Sequence, residues 1–255
     1  MVSGLDQGLA RTVTRTLVFI PAWNEADNLP AVLEELRGEL PDVEVLVVDD
    51  GSTDATAELA RAAGAEVLSF GENRGLRAAI AAGYGYAAEQ GYELVGRIDA
   101  DGQHPAAELR RLLERVESGG ADAAVGSRFV AGDGYAAYRY KPSRERAVGT
   151  AVLRRLMKLR MKRQLADATS GLYAVNGKAA KVLSRPYTSG APEVEGLIRL
   201  AEAGLRVDEV PVNMRERTGG ESKLAGRRAF HLVVTVGAAI FLGTRALGWW
   251  RRLRV

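Results

Sequence analysis

The chain has no cysteine and only two histidines, His104 and His231, among its 255 residues. Without cysteine there are no disulfides, no thiolate metal centres and no cysteine nucleophile. Two histidines are too few for a multi-histidine zinc site, and they leave little room for a histidine-based triad. The N-terminus, "MVSGLDQGLARTVTRT", lacks an apolar core of signal-peptide length, so residues 1–14 read as a flexible arm. The first strand-like run is followed by "PAWNEADN" (21–28), which contains no glycine. This excludes the glycine-rich pyrophosphate turn of a dinucleotide dehydrogenase. No internal repeat is visible, and the 29 glycines are dispersed.

What is present is an ordinary globular composition, 47% hydrophobic and 26% charged, with enough chain for one sizeable core. The formal net charge is only +3, but the charge is segregated. Between Arg139 and Arg163 there are ten Lys or Arg against the single acid Glu145, and between Arg215 and Val255 there are nine against Glu216 and Glu221. Clustered basic charge suits a polyanion, either nucleic acid or an anionic membrane surface. The bland alternative is a solvated basic face.

The first half alternates apolar runs with amphipathic segments. "TLVFIPA", "VEVLVVDD", "AEVLSF", "YELVGRIDA" and "ADAAVGSRF" read as strands. The intervening stretches read as helices, the first with Leu29, Val32, Leu33, Leu36 and Leu40 at helical spacing. Ser52 or Thr53 is the expected cap of the second helix and Pro105 belongs in the first turn of the fourth. Continuously apolar strands separated by helices predict a mainly parallel α/β sheet covered on both faces, with ligands at the carboxyl ends of the strands. After about Tyr135 the rhythm changes. A basic amphipathic helix is expected over 143–165, and an amphipathic C-terminal helix over Ala229–Trp250.

Several short stretches could carry chemistry. Asp99 and Asp101 in "RIDADGQH" lie two apart at an expected strand end, where alternation would place them on one face. Both could then grip one hard cation, Mg²⁺ or Mn²⁺, with Gln103 adding an amide oxygen. Adjacent acids on one strand end fit poorly as a glycosidase pair, which must flank a sugar bond. Asp50, ending "VVDD", could meet a base or ribose, or could only close a turn. Arg128 in "GSRF" could reach a diphosphate. Arg217 and Lys223 in "RTGGESK" could converge on one phosphate.

Taken together, "IPAWNEADNL", "VVDDGSTDAT", "NRGLRAAIAAGY", "DADGQHP", "GSRF", "DATSGLYA", "EVPV" and "RTGGESK" resemble the family 2 glycosyltransferases of GT-A fold. Among these the chain is most similar to the polyprenyl-phosphate glycosyltransferases, over about Leu17 to Phe241. The resemblance implies that Pro21, Ala22, Asn24 and Glu25 lie along the donor nucleotide. Asp50 would contact the base, and Asn73 and Gly75 the ribose and sugar side. Asp99, Asp101 and Gln103 would hold the divalent metal and donor diphosphate, and Arg128 would meet the phosphates. Arg217, Ser222 and Lys223 match an R-x-x-G-x-S-K pattern that grips the acceptor lipid phosphate. Two residues depart from the family pattern: Leu76 after "N-x-G", and Tyr173 where many relatives have arginine.

The implied reaction is inverting displacement of a nucleoside diphosphate (GDP or UDP) from a hexose of mannose or glucose type. The implied acceptor is a polyprenyl phosphate, already ionised and needing no strong base. If the acceptor were instead a hydroxyl, a carboxylate base would be required, with Glu193 and Glu195 as candidates. The resemblance divides the chain into a catalytic domain over 15–218 and an acceptor loop with a membrane-facing helix over 219–255. It implies a cytoplasmic enzyme, peripheral on the inner face of the cell membrane. Trp249, Trp250, Arg251, Arg252 and Arg254 would be anchors. The alternative for that helix is packing on its own domain or on a second copy in a homodimer. Nucleic acid is the weaker partner, because no recognition motif accompanies the basic charge. The rival activities are transfer to a soluble hydroxyl acceptor, nucleotide-sugar binding without turnover, and nucleotidyl transfer.

Overall fold

The computed structural model describes residues 14–132, 134–136, 166–167 and 170–215. Residues of the expected arm, the basic helix over 143–165, the acceptor motif at Arg217, Ser222 and Lys223, and the C-terminal helix lie outside the described residues.

Among the described residues, seven strands form one sheet. They are β1 (Thr16–Ala22), β2 (Glu44–Asp49), β3 (Glu66–Ser69), β4 (Leu94–Arg97), β5 (Ala123–Ser127), β6 (Tyr173–Asn176) and β7 (Val207–Pro211). The helices among these residues are α1 (Leu29–Glu39), α2 (Thr56–Ala62), α3 (Leu76–Glu89), α4 (Ala106–Glu117), α5 (Gly177–Leu183) and α6 (Pro192–Glu202). The spatial order is β3-β2-β1-β4-β6-β5-β7. All neighbouring pairs are parallel except those of β6, which runs antiparallel to both β4 and β5. The predicted mainly parallel α/β sheet is therefore present.

The central strands are mostly apolar because both faces are covered. On one face, Phe19, Val48, Val95 and Val175 pack against Tyr84 of α3, Leu183 of α5 and Leu197 of α6. On the other, Val18, Ile20, Val47 and Ala174 meet Leu36 of α1, Ala60 of α2 and Leu109 and Leu112 of α4. The contact of α3 with β1 is close. A Cβ on Gly83 would lie 2.3 Å from the Phe19 ring, and that ring also meets Tyr84 edge-on at 4.8 Å between centroids. Alanine gains about 1 kcal/mol over glycine in a helix interior. Phe19 is wholly buried and has no space to swing, so overpacking wins. Gly83→Ala is expected to lower the unfolding free energy by about 1–3 kcal/mol, read as an earlier midpoint in urea.

Two local expectations fail. The N-cap of α2 is Ala55, with no side-chain cap bond; Ser52 and Thr53 are drawn instead to the loop after β1. Pro105 occupies the N-cap position of α4, one residue before the helix.

The position of β1 fixes where a ligand can sit. Its neighbours are β2 on one side and β4 on the other. The connections from β1 and β3 leave in opposite directions, opening a crevice outside the carboxyl ends of β1 and β4. Among the described residues no helix is long and apolar enough to cross a membrane.

Candidate functional site

Three loops meet at that crevice, following β1, β2 and β4. The first two are laced together. Asn24, in the left-handed region at φ 53°, receives a bond at Oδ1 from the Thr53 amide at 2.8 Å, and its own amide donates to Ser52 Oγ at 3.0 Å. The Glu25 amide donates to Thr56 Oγ1 and the Ala26 amide to Asp54. Ser52, Thr53, Asp54 and Thr56 thus hold the "NEAD" loop in place. Pro21 and Ala22 are buried, and the Ala22 carbonyl accepts from the Asp50 amide at 2.9 Å. Among the described residues, Trp23 and Leu76, 45% and 48% exposed, are the large apolar side chains at the surface.

The two acids ending β2 face inward. Asp49 accepts from the Ser52 amide and from Ser69 Oγ. Asp50 accepts from the amides of Arg74 at 2.7 Å and Gly75 at 2.8 Å. It thereby ties the β2 end to the loop carrying Asn73, whose own side chain stays exposed. Gly51 makes this approach feasible. Its φ is 70°, and a Cβ would lie 2.3 Å from the Glu72 carbonyl carbon.

Asp99 and Asp101 are not strand residues. Strand β4 stops at Arg97, so strand alternation does not orient them; a turn does, with Gly102 at φ 72°. Asp101 accepts from the Gln103 amide at 3.1 Å and from Gln103 Nε2 at 2.9 Å. Asp99 is enclosed on three sides. Arg97 Nη2 lies 3.3 Å from its Oδ1 and His104 Nε2 lies 3.7 Å from its Oδ2. On the third side a Cβ on Gly171 would come within 2.0 Å of Oδ2. Burial works to raise the Asp99 carboxyl, but the Arg97 guanidinium, aided by His104, outweighs it and holds the group well below the ordinary carboxylate range.

The donor set fits a hard cation shared with a substrate. Among the described residues no three His, Asp or Glu converge as a metal cage. Mg²⁺ or Mn²⁺ bound beside a nucleotide needs only one or two carboxylates, because phosphates and waters complete its shell. An ionised Asp99, a neighbouring Asp101 and the open turn around them supply that partial set.

Arg128 is fixed by a buried acid, with Nε 2.9 Å from Asp167 Oδ2. Asp167 is itself held through the amides of Ala166 and Asp167, which both donate to Glu209 at 2.8 Å. The two candidate bases open α6, as acids in a first helical turn often do, and both are engaged. Glu193 Oε1 lies 3.0 Å from Arg97 Nη2. Glu195 accepts from the amides of Thr188 and Ser189 and pairs with Arg199. Burial works to raise the Glu195 carboxyl, yet the Ser189 amide and Arg199 hold it below the ordinary value. A buried, multiply bonded carboxylate is a poor proton acceptor, so Glu195 holds the loop before α6 instead of serving as a base.

Arg97, His104, Asp167 and Gly171 escaped assignment from the sequence. Arg97 had a signal, a lone cation in an otherwise apolar run. Asp167 and Gly171 stand in the "DATSG" stretch. His104 is buried, and its Nδ1 has no partner among the described residues.

Comparison with known proteins places this chain in a family. Over 233 residues the chain is 33% identical to the polyprenol monophosphomannose synthase of Mycolicibacterium smegmatis, covering 88% of this chain and 86% of that one. It is 34% identical over 230 residues to the undecaprenyl-phosphate mannosyltransferase of Micrococcus luteus, covering 87% and 92%. The fold is similar to that of glucosyl-3-phosphoglycerate synthase from Mycobacterium tuberculosis, in a crystal structure with Mn²⁺, uridine diphosphate and phosphoglyceric acid. The TM-score is 0.67 at 20% identity, over 89% of this chain and 79% of that one. The sequence profile of glycosyl transferase family 2 matches residues 17–180, a span that runs from β1 through both acids of the β4 turn to α5, and on this evidence the chain belongs to glycosyl transferase family 2 and is a glycosyltransferase of GT-A fold.

Proposed function

We propose that the chain transfers a hexose, with inversion, from a nucleoside diphosphate sugar to a polyprenyl phosphate at a membrane surface. The observation that carries the acceptor half is the path of the chain after β7. The Arg215 amide donates to the Gln103 carbonyl at 2.8 Å, and its guanidinium grips Glu35 through both Nη atoms at 2.7 and 2.8 Å. In the sequence, the R-x-x-G-x-S-K pattern begins two residues after this held arginine. The printed names of both curated relatives point to the same acceptor class.

In this reading Ala22, Asn24, Glu25, Asp50, Asn73 and Gly75 border the donor nucleotide, and Pro21 backs them from within the sheet. Asp99 and Asp101, with Gln103, would hold a divalent cation, which when bound would supply Lewis-acid stabilisation of the departing diphosphate. Arg128, aimed by Asp167, adds a fixed positive charge there. A lipid phosphate oxygen attacks the anomeric carbon as the bond to the nucleoside diphosphate breaks. A phosphate monoester with a second pKa of about 6 is already largely ionised at neutral pH, so no base is required. That agrees with Glu193 and Glu195 being bound elsewhere. Arg217, Ser222 and Lys223 would orient the acceptor, and the basic segments would face anionic lipid.

Lys223→Ala is expected to reduce transfer to a polyprenyl phosphate by about 10- to 100-fold, the effect of one lost charged hydrogen bond. Hydrolysis of the donor should change far less. Equal losses in both reactions would count against the acceptor role.

A further inference from the structure

Strand β4 carries a charge where its neighbours carry core. Arg97 is 2% exposed, and it points to the sheet face filled by Tyr84, Val95, Tyr173 and Leu197. A guanidinium there loses its hydration, and burial without compensation is strongly unfavourable. Two acids compensate it, and they come from different parts of the fold. Nη2 reaches Asp99 in the turn after β4 at 3.3 Å and Glu193 at the start of α6 at 3.0 Å. The guanidinium carbon lies 5.9 Å from the centre of the Tyr173 ring, and Tyr173 is the cross-strand partner of Arg97 in the β4–β6 register. Among the described residues Nε has no partner, so the bonding there is one-sided, toward the acids.

We propose that Arg97 is a positioning residue for the candidate metal site. From beneath, it fixes the side chain of Asp99 and anchors the first turn of α6 to it through Glu193. Asp99 is one-third exposed. Its Oδ1 is held by Arg97 while Oδ2 sits in the space left by Gly171. Arg97 itself is almost wholly buried, beneath the surface of that turn. The same cation makes Glu193 its counter-ion, which explains why an acid in the first turn of α6 is folded inward. The inference rests on the reading of Asp99 and Asp101 as metal-binding acids.

The test measures Mn²⁺ binding to the full chain by calorimetry, with uridine or guanosine diphosphate present, and needs no turnover. Four variants are compared with the parent: Arg97→Met, Arg97→Lys, Asp101→Ala, and the exchange Arg97→Tyr with Tyr173→Arg. The exchange keeps one buried cation within the same cross-strand pair, whose Cα atoms are about 5 Å apart. Removing a group that orients a metal-binding carboxylate typically weakens metal affinity by about 10- to 100-fold. Arg97→Met should show that loss, and the exchange should recover most of it. If Arg97→Met does not fold, by circular dichroism, Arg97→Lys makes the same comparison, with an expected smaller loss because one ammonium cannot span both acids. Unchanged Mn²⁺ affinity in a folded Arg97→Met, or in Arg97→Lys if Arg97→Met is unfolded, overturns the proposal, as does an exchange variant that recovers nothing. Should Asp101→Ala also leave Mn²⁺ binding intact, the metal-site reading fails with it. Should Asp101→Ala lose binding while the Arg97 variants keep it, only the role of Arg97 fails.

Discussion

Gly171→Ala is expected to lose at least about 100-fold in sugar transfer, because a displacement of about 1 Å at a reacting centre is enough for that. The added methyl would lie 2.0 Å from Asp99 Oδ2 and 2.6 Å from its carboxyl carbon. The carboxylate cannot retreat easily. Arg97 holds its other oxygen, and His104, 5% exposed, stands beside Oδ2. The backbone of Gly171 has no positive φ among the glycines that do, so the backbone itself tolerates alanine and the collision is confined to the site. The native circular dichroism spectrum should therefore survive while transfer and Mn²⁺ affinity both fall. Transfer at the parent rate would show that Asp99 is not needed where the structure puts it.

Asp101→Ala should do more, removing transfer by about 1,000-fold or beyond, about 4 kcal/mol of transition-state stabilisation. Asp101 accepts from the Gln103 amide and side chain in a turn beyond the end of β4, so its loss should leave the sheet untouched. The expected signature is a fall in kcat that excess Mn²⁺ does not restore, with the unfolding midpoint close to that of the parent. Full turnover by this variant would remove the metal assignment.

The fold was legible in the sequence because its signals are long and redundant. Five continuously apolar runs separated by helical stripes specify a covered parallel sheet whatever the exact ends of each element. The antiparallel insertion of β6 between β4 and β5 was not legible, since pairing direction leaves no mark in a four-residue strand such as Tyr173–Asn176. The site was legible as a set of residues but less so as geometry. Asp99, Asp101 and Gln103 do share one turn, yet strand alternation was the wrong reason, because β4 ends at Arg97. Ser52 and Thr53 looked like helix caps by local sequence. Their actual partner, Asn24, lies 28 and 29 residues away, and only the parallel pairing of β1 with β2 brings them together. Glu195 resembled a base by type and place, and its burial against Ser189 and Arg199 became apparent only with the packing of α6. Arg97 was the reverse case. A lone arginine within "ELVGRIDA" is readable as an anomaly, but its two acids come from positions 99 and 193, and no local pattern connects them.

The most direct test of the account incubates the full chain with a panel of nucleoside diphosphate hexoses, Mg²⁺ or Mn²⁺, and either a short polyprenyl phosphate or soluble hydroxyl acceptors, and follows the labelled sugar. The account predicts a metal-dependent lipid-phosphate sugar of inverted anomeric configuration, released together with a nucleoside diphosphate. Label appearing only on a soluble acceptor, or pyrophosphate released in place of the diphosphate, would contradict it.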